Sequence, residues 1–329
     1  MNHPITGPSS PHPDIAIGWR VLDAVIWMWQ KVRVPRLRRF AGYFLVAPSV
    51  ALIGVLAAGI VYLTWQSLHE LDPVLQETGE FSTENYTLLV TDDYFIEAFA
   101  RTLLVSTIVT VSAVILSLPL AYTIVSVPNR AWRFALVLIA LLPFVAGELV
   151  RGYSWLIVLG QDGAVAWFAD AIGLGRPTLV GTPFAISLGI LQLLLPLSVL
   201  ILLPSFRGIN PELEQAASTL GARPRGVWFH IILPLVRRGI AAAVAISFTF
   251  SMTSFAMPTL LGLGRHDFVA NVIQSTYFHQ LNSTLGAALA VALLLLVALM
   301  VTVTFALGEF SPGDARRRFG GMRRSRPSQ

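Results

Sequence analysis

The chain of 329 residues contains no cysteine, which excludes disulfides, thiolate metal sites and a cysteine nucleophile. Charge is scarce as well: 12% of residues are Asp, Glu, Lys or Arg, about half the share of a soluble domain. A soluble protein of this length needs a charged skin. With 55% hydrophobic residues the chain cannot supply one, so lipid has to cover much of its surface. Lysine occurs once, at Lys31, with no glycine-rich loop before it. The chain therefore lacks the phosphate cradle Gly-x-x-x-x-Gly-Lys-Ser/Thr and cannot hydrolyse ATP by that route. It also lacks a Gly-x-Ser-x-Gly nucleophile elbow. His69-Glu70 opens like a zinc-protease motif with no second histidine at the required spacing. Gly262-Leu-Gly264 lacks the third glycine of a dinucleotide fingerprint, and His230, His266 and His279 are scattered. No catalytic residue, metal site or bound cofactor is assigned to this chain.

What the chain has is long apolar runs. A membrane span needs about 20 mostly apolar residues, and six runs qualify, at about 42–66, 102–126, 134–159, 181–204, 239–261 and 285–307. Lipid offers no hydrogen-bond partners to an open backbone, so the expected fold is an all-α membrane protein with six transmembrane helices. A β-barrel would show alternating segments of about 10 residues, and these runs are continuous. Pro48, Pro119, Pro143, Pro196 and Pro258 fall within or at the edges of spans, where they mark kinks.

Charge placement orients the spans. The leader holds six basic residues, from Arg20 to Arg39, and the link after the second span holds Arg130 and Arg133. The link between the fourth and fifth holds Arg207, Arg223, Arg225, Arg237 and Arg238, and the tail holds six from Arg316 to Arg326. These nineteen of the 23 basic residues lie on one side of a six-span arrangement. The first loop on the other side is acidic from Glu70 to Glu97 and has no Lys or Arg. Both termini are expected in the cytoplasm, and the net charge of +5 reads as a topology signal rather than a nucleic-acid patch. Three parts follow: a basic cytoplasmic N-terminal segment at 1–41, the six-span domain at 42–308 and a basic cytoplasmic tail at 309–329. The proline-rich first 15 residues or so read as disordered. Trp19, Trp27 and Trp29 fit either a helix lying on the inner surface or a loosely ordered tail.

The link between the fourth and fifth spans has its own pattern. Pro211 opens a helix at its first turn, with Glu212 and Glu214 at the positive end of the dipole. Leu213, Ala216, Ala217 and Leu220 share a small apolar face, and Gly221 suits the left-handed residue that ends a helix. After Arg223-Pro224-Arg225-Gly226 a second apolar stretch, Val227 to Leu233, leads to Pro234. The expected product is a helix–turn–helix knob in the cytoplasm.

Here the chain resembles the permeases of binding-protein-dependent ABC importers. Their cytoplasmic signature is Glu-Ala-Ala, three residues, Gly, nine residues, then Ile-x-Leu-Pro. Ala216, Ala217, Gly221, Ile231, Leu233 and Pro234 stand at those spacings, while Gln215 replaces the leading acid and Glu214 lies one residue earlier. The stretch Val150–Trp155 with Leu159, Gly160 and Gly163, the segment Phe81–Tyr86 and the segment Asn282–Ala288 are similar to parts of the spermidine/putrescine-type subfamily. The resemblance implies a bacterial inner-membrane subunit forming half of a translocation path. It also implies three partners besides membrane lipid: a cytoplasmic ABC ATPase dimer using ATP-Mg, a second homologous permease chain and an external substrate-binding protein. Glu214, Gln215, Ala216, Ala217, Gly221, Ile231, Leu233 and Pro234 would make the ATPase contact, and the cargo would be a polyamine or a similar small solute. Nucleic acid is not an expected partner.

Residues that meet cargo are sought among polar groups inside spans. Glu148 and Arg151, three apart on the third span, share a face. Either Glu148 faces the path and attracts a cation, or the two pair and fix the helix. Trp155 either lines the path or belongs to the interfacial aromatic belt. Ser247, Ser251 and Ser254 follow helical spacing on the fifth span and line a path or glue helices together. An ion-coupled secondary transporter acting alone is the alternative, although it would leave the knob without a task.

Overall fold

The computed structural model of the chain describes residues 35–72 and 78–309. The leader before Pro35, with its tryptophans and three of its six basic residues, and the arginine tail lie outside the described residues. Two compact units divide between Tyr62 and Leu63. The first ends within helix α1 (Pro35–Ser67), a 33-residue helix with Pro48 inside.

The second unit starts with the end of α1 and a two-stranded antiparallel hairpin, β1 (His69–Leu71) and β2 (Thr78–Phe81), paired His69 to Phe81 and Leu71 to Thr78. Helix α2 (Glu84–Thr91) fastens the hairpin, because Asn85 Nδ2 donates to the carbonyls of Ser67 and His69 at 3.2 and 3.0 Å. Helix α3 (Asp93–Ser126) starts at an Asp92 cap that accepts from the Tyr94 amide at 2.9 Å. At about 1.5 Å per residue it is about 50 Å long, more than a bilayer core needs. Its first turns carry Asp93, Glu97 and Arg101, and the apolar run begins only at Thr102. Then come α4 (Arg130–Val145), α5 (Glu148–Leu159), α6 (Ala164–Ala171) and α7 (Pro183–Arg207). The chain continues with α8 (Pro211–Thr219) and α9 (Pro224–Val227), which runs through a widened turn into α10 (Leu233–Met252). It closes with α11 (Ala256–Gly262), α12 (Val269–Phe278) and α13 (Ser283–Glu309).

The centre is α3 laid along α7, with α10 packed on both and α13 on α10. Small residues permit this closeness. Ala113, Ala121 and Ala243 are fully buried, and a side-chain carbon added to Gly239 of α10 would run into Ser205 of α7. Ser198 and Ser247, both fully buried, join α7 and α10 through a 2.9 Å hydrogen bond. The opposite face of α3 presents Leu104, Ile108 and Ile115, each more than half exposed. An outward apolar face on a helix this long is a liability in water and a fit in lipid.

Among the described residues five helices are long and apolar enough to cross a membrane: 46–67, 93–126, 183–207, 224–252 and 283–306. The sixth stretch departs from the continuous third span expected over 134–159. It is a broken pair, Arg130–Val145 and Glu148–Ala171, bent by 92°. Ala146 and Gly147 leave helical geometry at ψ 125° and 153°, so the ladder stops there. The expected fifth span over 239–261 also needs correction. Its helix already runs from Pro224, stops at Met252 and leaves 256–262 as the separate α11. Near the stop, Thr249 and Thr253 hydroxyls bond back to the carbonyls of Ala245 and Thr249 at 2.8 and 2.9 Å. Such bonds bend helices, and Pro258 cannot donate to the carbonyl four residues before it.

Candidate functional sites

The first site is the knob. Asn210 caps α8 by accepting from the Glu212 amide at 3.1 Å, and Pro211 takes the first turn. The helix ends in a Schellman closure: the Ala222 amide donates to Ala217 and the Gly221 amide to Ser218, both at 3.0 Å. That closure needs a left-handed residue, and Gly221 has φ +77°. Of the apolar face expected on α8 only Ala217 is buried; Leu213, Ala216 and Leu220 face outward, Leu220 88% exposed.

The knob is fixed to the helical body from beneath. Tyr122 of α3 donates its hydroxyl to Glu214 Oε2 at 2.9 Å. Its ring meets Trp228 edge-on at 5.0 Å, and Trp228 stacks on Phe206 of α7 at 6.2 Å. Glu214 is thus spent on holding the knob, while Gln215 is exposed. Ile231 and Leu233 are partly buried and Pro234 is exposed. Because Pro234 has no amide hydrogen, the backbone before it widens into a π turn over Trp228–Ile232, in which the Leu233 amide reaches the Trp228 carbonyl.

The second site is the joint between α4 and α5. Breaking the helix orphans the Pro143 carbonyl, and Arg151 Nη1 donates to it at 2.6 Å. The arginine therefore sits at the negative end of α4, and Glu148 occupies the first turn of α5, where the dipole is positive. Each charge is helped by a helix end. The two do not pair with each other: Glu148 makes no ion pair or hydrogen bond among the described residues. Both line a cavity of about 250 Å³, closed by Ile190 and Leu194 of α7, Phe250 at the end of α10, Ser254 in the break and Met257 of α11.

The candidate cargo residues are thus partly gathered. Glu148, Arg151 and Ser254 meet at one cavity. Ser251 is fully buried with its hydroxyl unpartnered, and Ser247 is bound to Ser198. Trp155 turns away, donating Nε1 to Gln192 Oε1 at 2.6 Å beside a separate apolar cavity of about 490 Å³ between α3, α4 and α7. Sequence reasoning missed Asn210, Gln192, Ser198 and Tyr122. Asn before Pro is a helix-start signal, and Gln192 and Ser198 are polar residues inside an apolar run. Nothing near Tyr122 points to Glu214.

The sequence and the fold have counterparts among known proteins. A family described as binding-protein-dependent transport system inner membrane component matches residues 115–311. The inner membrane ABC transporter permease protein YdcU of Escherichia coli K12 is 28% identical over 301 residues, 84% of this chain and 96% of the relative. The spermidine/putrescine transport system permease protein PotB of the same organism is 29% identical over 225 residues, 68% of this chain and 81% of the relative. In fold, the chain is similar to a crystal structure of a bacterial alginate ABC transporter in complex with its alginate pentasaccharide-bound periplasmic protein. The TM-score is 0.70 with 17% identity, over 85% of this chain and 96% of that one.

Proposed function

Since this chain belongs to the family of inner-membrane components of binding-protein-dependent transport systems, we propose that it moves its cargo by coupling the knob at 211–234 to a cytoplasmic ATPase. The observation that carries the reading is the knob itself: a capped helix with a left-handed glycine stop, locked to α3 and α7, whose Leu213, Gln215, Ala216 and Leu220 are left outward. A push on that face passes through Glu214 to Tyr122 and through Trp228 to Phe206, hence to the two central helices. Both termini and the knob are cytoplasmic in this reading, and the hairpin end faces the binding protein. A second permease chain completes the path, and ATP-Mg is bound by the ATPase alone.

The cargo in this proposal is a small aliphatic amine, with spermidine and putrescine as the reference compounds. PotB, a relative named for those solutes, and the unpaired carboxylate of Glu148 at the cavity support it. An ion-coupled carrier acting alone finds no support in the family or in the fixed knob.

A tagged full-length chain extracted in mild detergent is expected to bring down a P-loop ATPase and a second six-span protein. Gly221→Asp, which strains the left-handed stop and adds a charge, is expected to insert normally but lose the ATPase. A chain that purifies alone and drives uptake from an ion gradient without ATP would overturn the coupling. ATPase activity that ignores a polyamine-loaded binding protein and answers a differently loaded one would remove the cargo assignment.

A further inference from the structure

A groove of about 450 Å³ runs between the first turns of α10 and the last turns of α13. Its α10 side is one helical stripe, Leu233, Arg237, Ile240 and Val244, at spacings of three and four. Its α13 side is Thr304 and Gly308. The glycine lets the two helices meet beneath the groove, because a side-chain carbon there would run into Ala241. Thr304 adds little polarity, since its hydroxyl is turned back to the Met300 carbonyl at 2.8 Å. The groove is therefore an apolar slot with a guanidinium near the end where the knob begins. Of its residues, the coupling reading uses only Leu233 and Pro234.

The surroundings say what fills it. Next to these positions in the chain, Leu235, Val303 and Phe305 are exposed, an apolar surface suited to lipid. Arg237 is half-buried and Arg238 exposed. An arginine carries five donors on a planar fork that matches phosphate, so it can take a phosphate and keep a bond it already makes. Positive charge continues past the groove: α13 ends at Glu309, and the six arginines from Arg316 to Arg326 follow it in the chain. That charge disfavours a cationic occupant, the arginine tail itself included, and favours an anionic one. We propose that the groove binds one anionic phospholipid of the cytoplasmic leaflet, with an acyl chain along Ile240 and Val244 and the phosphate held by Arg237. Basic pockets between transmembrane helices on the cytoplasmic side take such headgroups. The leaflet follows from the cytoplasmic knob, and to that extent the assignment rests on the importer reading. A topology signal alone explains a basic residue at this depth, but not its place at the end of an apolar slot. The lipid also touches Leu233 and Pro234, so it braces the root of the knob.

The test uses the full chain purified with its co-purifying partners in mild detergent and stripped of lipid. The probes are radiolabelled dioleoylphosphatidylglycerol and dioleoylphosphatidylcholine, which share their acyl chains. Phosphatidylglycerol is expected to bind saturably and at least tenfold more tightly than phosphatidylcholine, and excess inorganic phosphate is expected not to displace it. Arg237→Gln is expected to lower the phosphatidylglycerol affinity about tenfold. Arg238→Gln removes the same charge outside the groove and is expected to change it less than twofold. Val244→Trp fills the apolar slot, keeps both arginines and is expected to weaken phosphatidylglycerol at least fivefold; it decides the matter if Arg237→Gln does not assemble. Equal affinity for the two lipids, equal losses in the two arginine variants, or undiminished binding in Val244→Trp overturns the proposal. So do displacement by inorganic phosphate, which marks a site for free anions, and the absence of saturable binding. The importer reading fails separately, by the absence of an ATPase from the purified chain, and the lipid affinities are read whether or not it does.

Discussion

Glu214 occupies the place next to the acid of the family signature, and its carboxylate is turned inward to Tyr122. Its contribution is to stiffness. Tyr122→Phe removes one hydrogen bond to a half-buried carboxylate, on the order of 1 kcal/mol, equivalent to about fivefold in the open fraction of the knob. Arg225 at the knob's turn is exposed and followed by Gly226, so limited trypsin digestion at that bond reads the opening. Cleavage there is expected to rise about fivefold in Tyr122→Phe while cleavage elsewhere stays constant; an unchanged rate would mean that the rings alone hold the knob. The knob was legible because its signals are local: Pro211 starts it and Gly221 stops it. Tyr122 was not, since it lies 92 residues from its partner inside an apolar run and its hydroxyl has no periodic neighbour to betray it. For Arg151 the residue was legible but its partner was not, because that partner is a backbone carbonyl freed by a break.

At the level of the elements, the six apolar runs were readable, while the break in the third was hidden. Hydropathy measures how apolar a window is and is blind to the direction of the chain, so the runs on either side of Ala146–Gly147 merge into one. The apolar composition of 256–262 extended the fifth span in the same way, although Pro258 carried a warning. Packing between helices gives a further prediction. Gly239→Ala places a methyl against Ser205, an overpacking expected to cost about 1–3 kcal/mol. The thermal midpoint in detergent should fall, and Ser205→Gly in the same chain should restore most of it. Failure of the second substitution to rescue the first would show that α7 and α10 are held apart by something other than this contact.

For the whole molecule, the absence of cysteine is an experimental advantage. Single cysteines can be introduced at Leu220, on the knob, and at Glu80, in the hairpin, both exposed. With the proposed orientation, a membrane-impermeant maleimide labels Glu80→Cys in spheroplasts and Leu220→Cys only in inverted vesicles; the reverse pattern would turn the molecule over. The widened turn at Trp228–Ile232 has a bearing on assembly as well. It places one residue more than an α-turn holds between the knob and the span that follows. The turn takes up that residue locally, so the helix on either side keeps nearly the phase of an uninterrupted α-helix. Removing His230 would let the ladder close as an ordinary helix with Leu213 and Leu220 still pointing nearly where they did. That single extra residue works as slack, by which Pro234 is given a place in the helix without turning the docking face.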